Sequence, residues 1–563
     1  MNSKITIEMQ NAFGRFIQLY HMDRVTEADY LFCKNAVLWM PDLDIKAEGI
    51  EAIRKTLKEL QEKRTAAGIY RDVHMPHTPC FDTREDDTLG LATWDLHTFY
   101  VTKGDEGDQM EYDYGRIDAT FRQEDGMWKF ESLDWWDVES FVPWEYAAEK
   151  DDSWVNKPQD LPYPPAYTGK NTTRDFYAVQ NMISRYGQNN RKYPFEDTFV
   201  NSDDVTYRAM PFTMETVKGV ENVRAELDRL NEMENVNIGK YVFVPSTGAP
   251  VIEMSEDGTE INAQWMVSCN TFEGEAFGIN EPPYMYVRRI GFLTVTCVRE
   301  NGQWRVRNFD INNFMSVPPF GFDSYCQMKN TGNNLWYQRV GMFENKWKMA
   351  PPKMGGDFPE ELPYLESVLA HWVSSYRRGD YVKFLHENSF NDEYESFFHS
   401  RGQGRCAPAV IGTDNLMEFF ALGAFQYHHQ QITNHGGMSP DIEISADGRY
   451  ATMSYFDINT TAFDPGKANS RTIDVSTDWN QDNSGFEHTP CRYQLSMYTL
   501  ASAKVEGQWK LIQIDWETLV AFPVIYLANK SSRGWAGSVT DFKYPDVFEK
   551  YQYSPIRKIS KQS

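Results

Sequence analysis

Residues 125–134 read DGMWKFESLD, residues 301–310 read NGQWRVRNFD, and residues 506–515 read EGQWKLIQID. Each copy has a turn glycine, a tryptophan, alternating apolar positions, and an aspartate six residues after the tryptophan. A glycine after Asp or Asn between alternating segments is a hairpin signal. Three hairpins of one design in one chain mean an internal repeat, and a repeat decides the fold before any single element does.

Two further blocks recur in the same order. EGIEAIRKTLKEL at 48–60 matches KGVENVRAELDRL at 218–230 and, more weakly, IGTDNLMEFFALG at 411–423. Each is a glycine followed by apolar residues at helical spacing. Ahead of them, Phe13, Phe16, Ile17 and Tyr20 fall on one helix face, as do Val179, Met182, Ile183 and Tyr186, and Leu369, Trp372, Val373 and Tyr376. Period-two segments follow at 89–101, 260–272 and 450–463. Helices first and strands afterwards predict an α+β layer structure with helices packed on one face of an antiparallel sheet. Proline-rich segments at 157–167 and 348–363 separate the copies, because proline continues neither a helix interior nor a ladder. The domains expected are 1–150, 168–345 and 360–540, with 541–563 as a C-terminal arm.

The composition narrows the partners. The 563 residues are 41% hydrophobic and 15% aromatic, enough for several cores. There are 56 Lys and Arg against 81 Asp and Glu, a formal charge of -25. That field repels phosphate backbones and anionic membranes, so neither nucleic acid nor a membrane is expected as partner. No apolar run approaches the ~18 residues of a membrane helix, and the start has no signal-peptide pattern. The seven cysteines include no CxxC pair, which reads as free thiols in a reducing cytoplasm. No Walker loop, GxGxxG or GxSxG stands in a supporting context, so no cofactor is expected. His74-x-x-His77 has a proline inside it, and His428, His429 and His435 lack a spaced carboxylate set, so no metal is expected either.

A helix ending in tyrosine, a glycine-led helix, a histidine before the first long strand and the xGxW hairpin together resemble the SnoaL-like branch of the nuclear-transport-factor-two-like superfamily, three times over. The resemblance implies three cone-shaped α+β barrels, each a curved antiparallel sheet around a pocket closed by helices. It is nearest the scytalone dehydratase and bile-acid dehydratase type. It implies catalytic roles for Tyr20, Asp23 and His74 in the first repeat and Tyr376, Asp380 and His435 in the third. In the second repeat Pro245 stands at the histidine position and Asn189 and Asn190 at the acid, so that copy reads as degenerate.

The residues themselves suit that chemistry. Dehydration beside a carbonyl needs a base for the C–H and an acid for the departing hydroxyl, and histidine serves both near neutral pH. A carboxylate beside it fixes its tautomer, and a tyrosine hydroxyl polarises the carbonyl. Asp95 and His97 are two apart on a strand and share a face, and Asp457 and Asn459 read as their counterparts. Trp94, Trp128, Phe456 and Asn459 are the expected pocket lining, with 16 Trp, 31 Tyr and 35 Phe in the chain to suit a flat apolar or aromatic ligand. The aspartates at 134, 310 and 515 persist in the degenerate copy and read as structural.

The function expected is a cofactor-independent lyase or isomerase acting on a hydroxylated cyclic, aromatic, polyketide or steroid-like molecule. The alternatives are a non-catalytic small-molecule binder or scaffold, and a hydrolase or cyclase. The dehydratases that this chain resembles assemble as trimers, which implies that the fused copies dock as an intramolecular pseudo-threefold, with further self-association as an option. Such a particle has a radius of gyration of about 24 Å. Small-angle scattering checks this: a much larger value, as from three domains in a row, excludes the docked arrangement.

Overall fold

The computed structural model describes residues 1–66, 69–84, 86–103, 108–141, 144–146, 156–188, 195–236, 241–274, 284–322, 327–328, 352–368, 370, 397–402, 405–406, 410–411, 431–463, 491–523 and 529–532. The third repeat's opening stripe from Leu369 onward, including Tyr376 and Asp380, lies outside them, as do Asn189, Asn190, most of 411–423 and the arm at 541–563.

The first repeat opens with α1 (Ser3–His21), capped by Asn2, whose side-chain oxygen accepts from the backbone of Lys4 and Ile5. Strands β1 (Phe32–Met40) and β2 (Ile45–Glu48) form an antiparallel pair before α2 (Ile50–Ala66). Four long strands follow: β3 (Ile69–Arg84), β4 (Leu89–Lys103), β5 (Asp108–Glu124) and β6 (Met127–Phe141). The sheet order is β2-β1-β6-β5-β4-β3.

The second repeat has α3 (Thr173–Gln188), then β7 (Thr206–Ala209), β8 (Thr213–Lys218) and α4 (Val220–Val236). It continues with β9 (Tyr241–Met254), β10 (Glu260–Gly274), β11 (Tyr284–Glu300) and β12 (Gln303–Phe322), in the order β8-β7-β12-β11-β10-β9. A third sheet contains β13 (Phe397–Gly402), β14 (Arg405–Cys406), β15 (Gln431–Ile444), β16 (Tyr450–Phe463), β17 (Cys491–Val505) and β18 (Gln508–Pro523). Its order, β14-β13-β18-β17-β16-β15, is the same path again.

The sheets are mixed, where the sequence pattern leads one to expect antiparallel pairing throughout. In each, the last long strand returns beside the first short one and runs parallel to it. The repeated aspartates sit at this junction: Asp134 opposite Trp39, Asp310 opposite Arg208, Asp515 opposite His399. Asp310 accepts both arms of Arg208, Nε at 2.7 Å and Nη2 at 2.8 Å, tying the parallel pair together. The hairpins before it turn on two left-handed residues each, Asp125-Gly126, Asn301-Gly302 and Glu506-Gly507. Their tryptophans anchor the hairpin: Trp304 Nε1 donates to Asp175 on α3, and Trp509 Nε1 to Glu361.

The chain divides into two compact units, one carrying residues 1–77, 81–137 and 145–321, the other 78–80, 138–144 and 322–563. Within the first unit, α1 faces two ways. Its apolar side, with Phe13, Phe16 and Tyr20, packs under its own sheet against Trp94, Phe130 and Trp135. Its polar side covers β9, the edge strand of the second sheet. Asn11 donates to Ile252 O and accepts from Ile252 N. Asn171 does the same with Ile252 O and Met254 N, and Gln18 donates to Ala249 O. These amides cap backbone groups that an edge strand otherwise leaves open. Arg15 forms a buried ion pair with Glu253, whose carboxylate also accepts from Asn11, Thr168 and Asn171.

Gly14 sits where α1 meets this edge, and an added Cβ would lie 2.2 Å from Pro250 O. In a free helix Gly→Ala stabilises by ~1 kcal/mol. Here Gly14→Ala is expected to destabilise by about 1–3 kcal/mol, the range for overpacking, measured by denaturant unfolding. A gain in stability would contradict the contact. Nearby, burial and the Glu253 charge raise Glu8 to about 6. The folded state therefore holds the proton more tightly, and stability falls as pH rises from 4.5 through 6. Glu8→Gln is expected to match the parent at pH 4 and to be about 1–2 kcal/mol more stable at pH 7; equal unfolding curves at both pH values would refute this.

Candidate functional site

In the last turn of α1, Tyr20 meets polar side chains of the first sheet. The Tyr20 hydroxyl donates to Asp72 Oδ2 at 3.0 Å. His74 Nε2 meets the same oxygen at 3.2 Å. His74 Nδ1 lies 2.9 Å from Thr98 Oγ1 on the next strand. A carboxylate, an imidazole and a phenol thus share one acceptor atom. Asp72 and His74 are two apart on β3, so the pleat puts them side by side. An ionised Asp72 can only accept, so in that state Nε2 carries the donated proton and Nδ1 is left to accept from Thr98 Oγ1.

Aromatic rings enclose the group. Trp135 stands edge-on to His74 at 4.7 Å, and Tyr20 and Tyr100 lie at 5.5 and 6.0 Å. His21 Nε2 lies 3.1 Å from the His74 carbonyl oxygen and 3.3 Å from its backbone nitrogen, and its ring lies between His74 and Phe314 of β12. The His74 side chain is 0% exposed and that of Asp72 is 21%. A molecule arriving from solvent therefore meets the carboxylate first, with the imidazole behind it.

Sequence reading named Tyr20 and His74, and the structure brings them together. It missed Asp72, although the segment DVH carries the signal, an acid two residues before a strand histidine. Asp23 lies elsewhere. It occupies a left-handed turn after α1, with φ 58°, and accepts from Gln159 Nε2 at 2.7 Å. Asp95 and His97 also lie elsewhere. Thr98 and Tyr100 reach His74 and Trp94 stacks on Phe13 at 3.7 Å, so the even residues of β4 face α1. Asp95 and His97 point out of the opposite face, where the His97 ring meets His77 at 4.3 Å. Trp94 is covered by Phe13, Phe81 and Phe121, and Trp128 is buried in the hairpin.

In the second sheet Pro245 opposes Cys269, the residue in the place of Thr98. Burial pushes the Cys269 thiol up to about 12. The Tyr186 hydroxyl, near the end of α3, lies 2.9 Å from the Tyr207 hydroxyl. In the third sheet the backbone register pairs His435 with Asn459, two positions along β16 from Asp457. The register about the bulges pairs Gly248 with Met266 and Met438 with Phe456. That register aligns Tyr455, and not Phe456, with Trp265 and hence with Trp94. Asp457 is therefore the counterpart of Leu96 on the inward face and differs from Asp95, which points outward. Asp457 and Phe456 are fully buried.

Among the described residues no group of three or more His, Cys, Asp and Glu is placed to hold a metal ion. No described helix is long and apolar enough to cross a membrane.

Residues 7–134 match the model of the SnoaL-like domain. No curated protein matches the chain. Among solved structures it is similar to a candidate scytalone dehydratase from Novosphingobium aromaticivorans, at 18% identity over 26% of this chain and 94% of that one, TM-score 0.21. It is also similar to a hexachlorocyclohexane dehydrochlorinase from Novosphingobium barchaimii, at 13% identity over 24% and 87%, TM-score 0.21. A third is a protein of Novosphingobium aromaticivorans described as NTF2-like with a cystatin-like fold, at 13% identity over 23% and 79%, TM-score 0.19.

Proposed function

We propose that the first domain is a cofactor-independent lyase or isomerase for a hydroxylated cyclic, aromatic, polyketide or steroid-like molecule, with the Asp72–His74 pair as its acid–base couple. The observation that carries this reading is the shared acceptor: Tyr20 and His74 both bond Asp72 Oδ2 inside an aromatic enclosure. Two donors on one oxygen hold the carboxylate in a single orientation, which is what a positioned base requires. Trp135, Tyr100 and Tyr20 offer flat apolar surface to a ring.

For a dehydration the balance is simple. The Asp72–His74 pair takes the proton from a carbon beside a carbonyl. The C–H electron pair becomes the new C=C bond, and the neighbouring C–O bond breaks with its electrons on oxygen. The pair returns the proton to that oxygen, which leaves as water. For an isomerisation the same proton returns to a different carbon. Thr98 keeps the imidazole in one tautomer through the cycle.

The second domain reads as a copy that keeps the fold without the couple, since Pro245 and Cys269 replace His74 and Thr98. The third has His435 in register with Asn459, and we assign it a parallel role.

The test begins by capturing small molecules on the purified chain and following each for loss of one water by mass spectrometry. His74→Ala and Asp72→Asn are each expected to lower first-domain turnover about 10²–10⁴-fold. His74→Ala with His435→Ala is expected to remove nearly all activity, and Pro245→Ala to leave it unchanged. A double histidine variant that turns over at the parent rate would overturn the assignment.

A further inference from the structure

Arg288 lies on β11, on the face of the second sheet that points away from its own helices. Asn270 directly opposes it on β10, and the alternation that turns Trp265 and Cys269 inward turns Ser268, Asn270 and Arg288 outward. Its side chain is 1% exposed. Nε donates to Ser268 Oγ at 2.7 Å. The guanidinium carbon lies 4.4 Å from the centroid of the Phe99 ring. Nη1 and Nη2 meet no hydrogen-bond acceptor among the described residues.

This is a costly arrangement for a group that stays charged at every pH at which proteins fold. A buried charge is retained only when something compensates it. Phe99 satisfies one flat face through the ring quadrupole, and Ser268 satisfies the Nε edge. The remaining edge carries two N–H groups side by side, the fork that matches two coplanar oxygens. Asn270 turns its amide to Ser268 O at 3.2 Å.

We propose that the Nη edge of Arg288 is the recognition element of a carboxylate-binding site in the seam between the first two sheets. A carboxylate is favoured over a phosphate on charge as well as shape. One negative charge neutralises one guanidinium, whereas a dianion leaves an excess charge buried. Water fills the hydrogen bonds but leaves the charge uncompensated. The site is distinct from the Asp72–His74 pair. Phe99 emerges from the opposite face of β4 to its neighbour Thr98, which holds His74.

The experiment uses the full chain, with benzoate and acetate as probes and inorganic phosphate as the contrasting arm. Benzoate at about 100 times its dissociation constant is expected to raise the thermal midpoint by about 3 °C or more. Arg288→Met is expected to abolish the rise while leaving the ligand-free midpoint no lower than the parent's, since an apolar side chain replaces an uncompensated charge. Equilibrium dialysis of labelled benzoate against Arg288→Lys, which keeps the charge and loses the fork, is expected to show binding at least ~10-fold weaker. This second arm stands even where the Met variant does not fold. No benzoate bound by the parent chain, equal binding by Arg288→Lys, or a preference for phosphate overturns the proposal.

Discussion

A left-handed residue in the third strand of each sheet sets the constraint on which the rest depends. Thr78, Ala249 and Ser439 all have φ near +50°, and each precedes a proline. In the second and third sheets the ladder slips there, between Gly248 and Val251 and between Met438 and Asp441. Such a bulge shifts the pleat by one residue and bends the strand. In the first sheet its effect is visible in the side chains. His74 and Phe81 have opposite parity, yet His74 packs on Trp135 and Phe81 on Trp94, both under α1. Without the bulge either the imidazole or the ring would face away.

The same economy appears in α1, which is buried on all sides. One side is the floor of the first cone. The other closes the edge of the second sheet with amides, and Gly14 lets the two backbones approach. An edge strand covered in this way is shielded from pairing with other chains. The helix is therefore a joint as well as a wall, and a change on its polar side reaches both sheets.

Strand β4 then separates two kinds of chemistry by alternation alone. Thr98 looks inward and holds His74, while Phe99 looks outward and lies under Arg288. Each face buries a charged or titratable group, and each supplies aromatic surface beside it. Thr98 and Phe99 are thus neighbours in sequence that serve opposite faces, so the His74 cluster and the Arg288 guanidinium lie on the two sides of one strand.

Much of this was legible in the sequence. Repetition of the xGxW hairpin, the glycine-led helix and the tyrosine-ended helix gave the α+β class and the recurring order of elements, because those patterns are local and survive divergence. Tyr20 and His74 were legible for the same reason. The parallel pair in each sheet was not, because strand direction depends on which strands meet after the chain has turned back. The choice between Asp72, Asp23 and Asp95 was not legible either. All three stand within reach of a histidine in sequence, and only the pleat and the bulge decide which one faces it. The alignment of Asp457 with Asp95 failed by one position on that account, since a one-residue shift in register sends a side chain to the other face. Residue chemistry and spacing were determined by the sequence alone. Facing was decided by the tertiary structure, because it is a property of paired strands and not of any one of them.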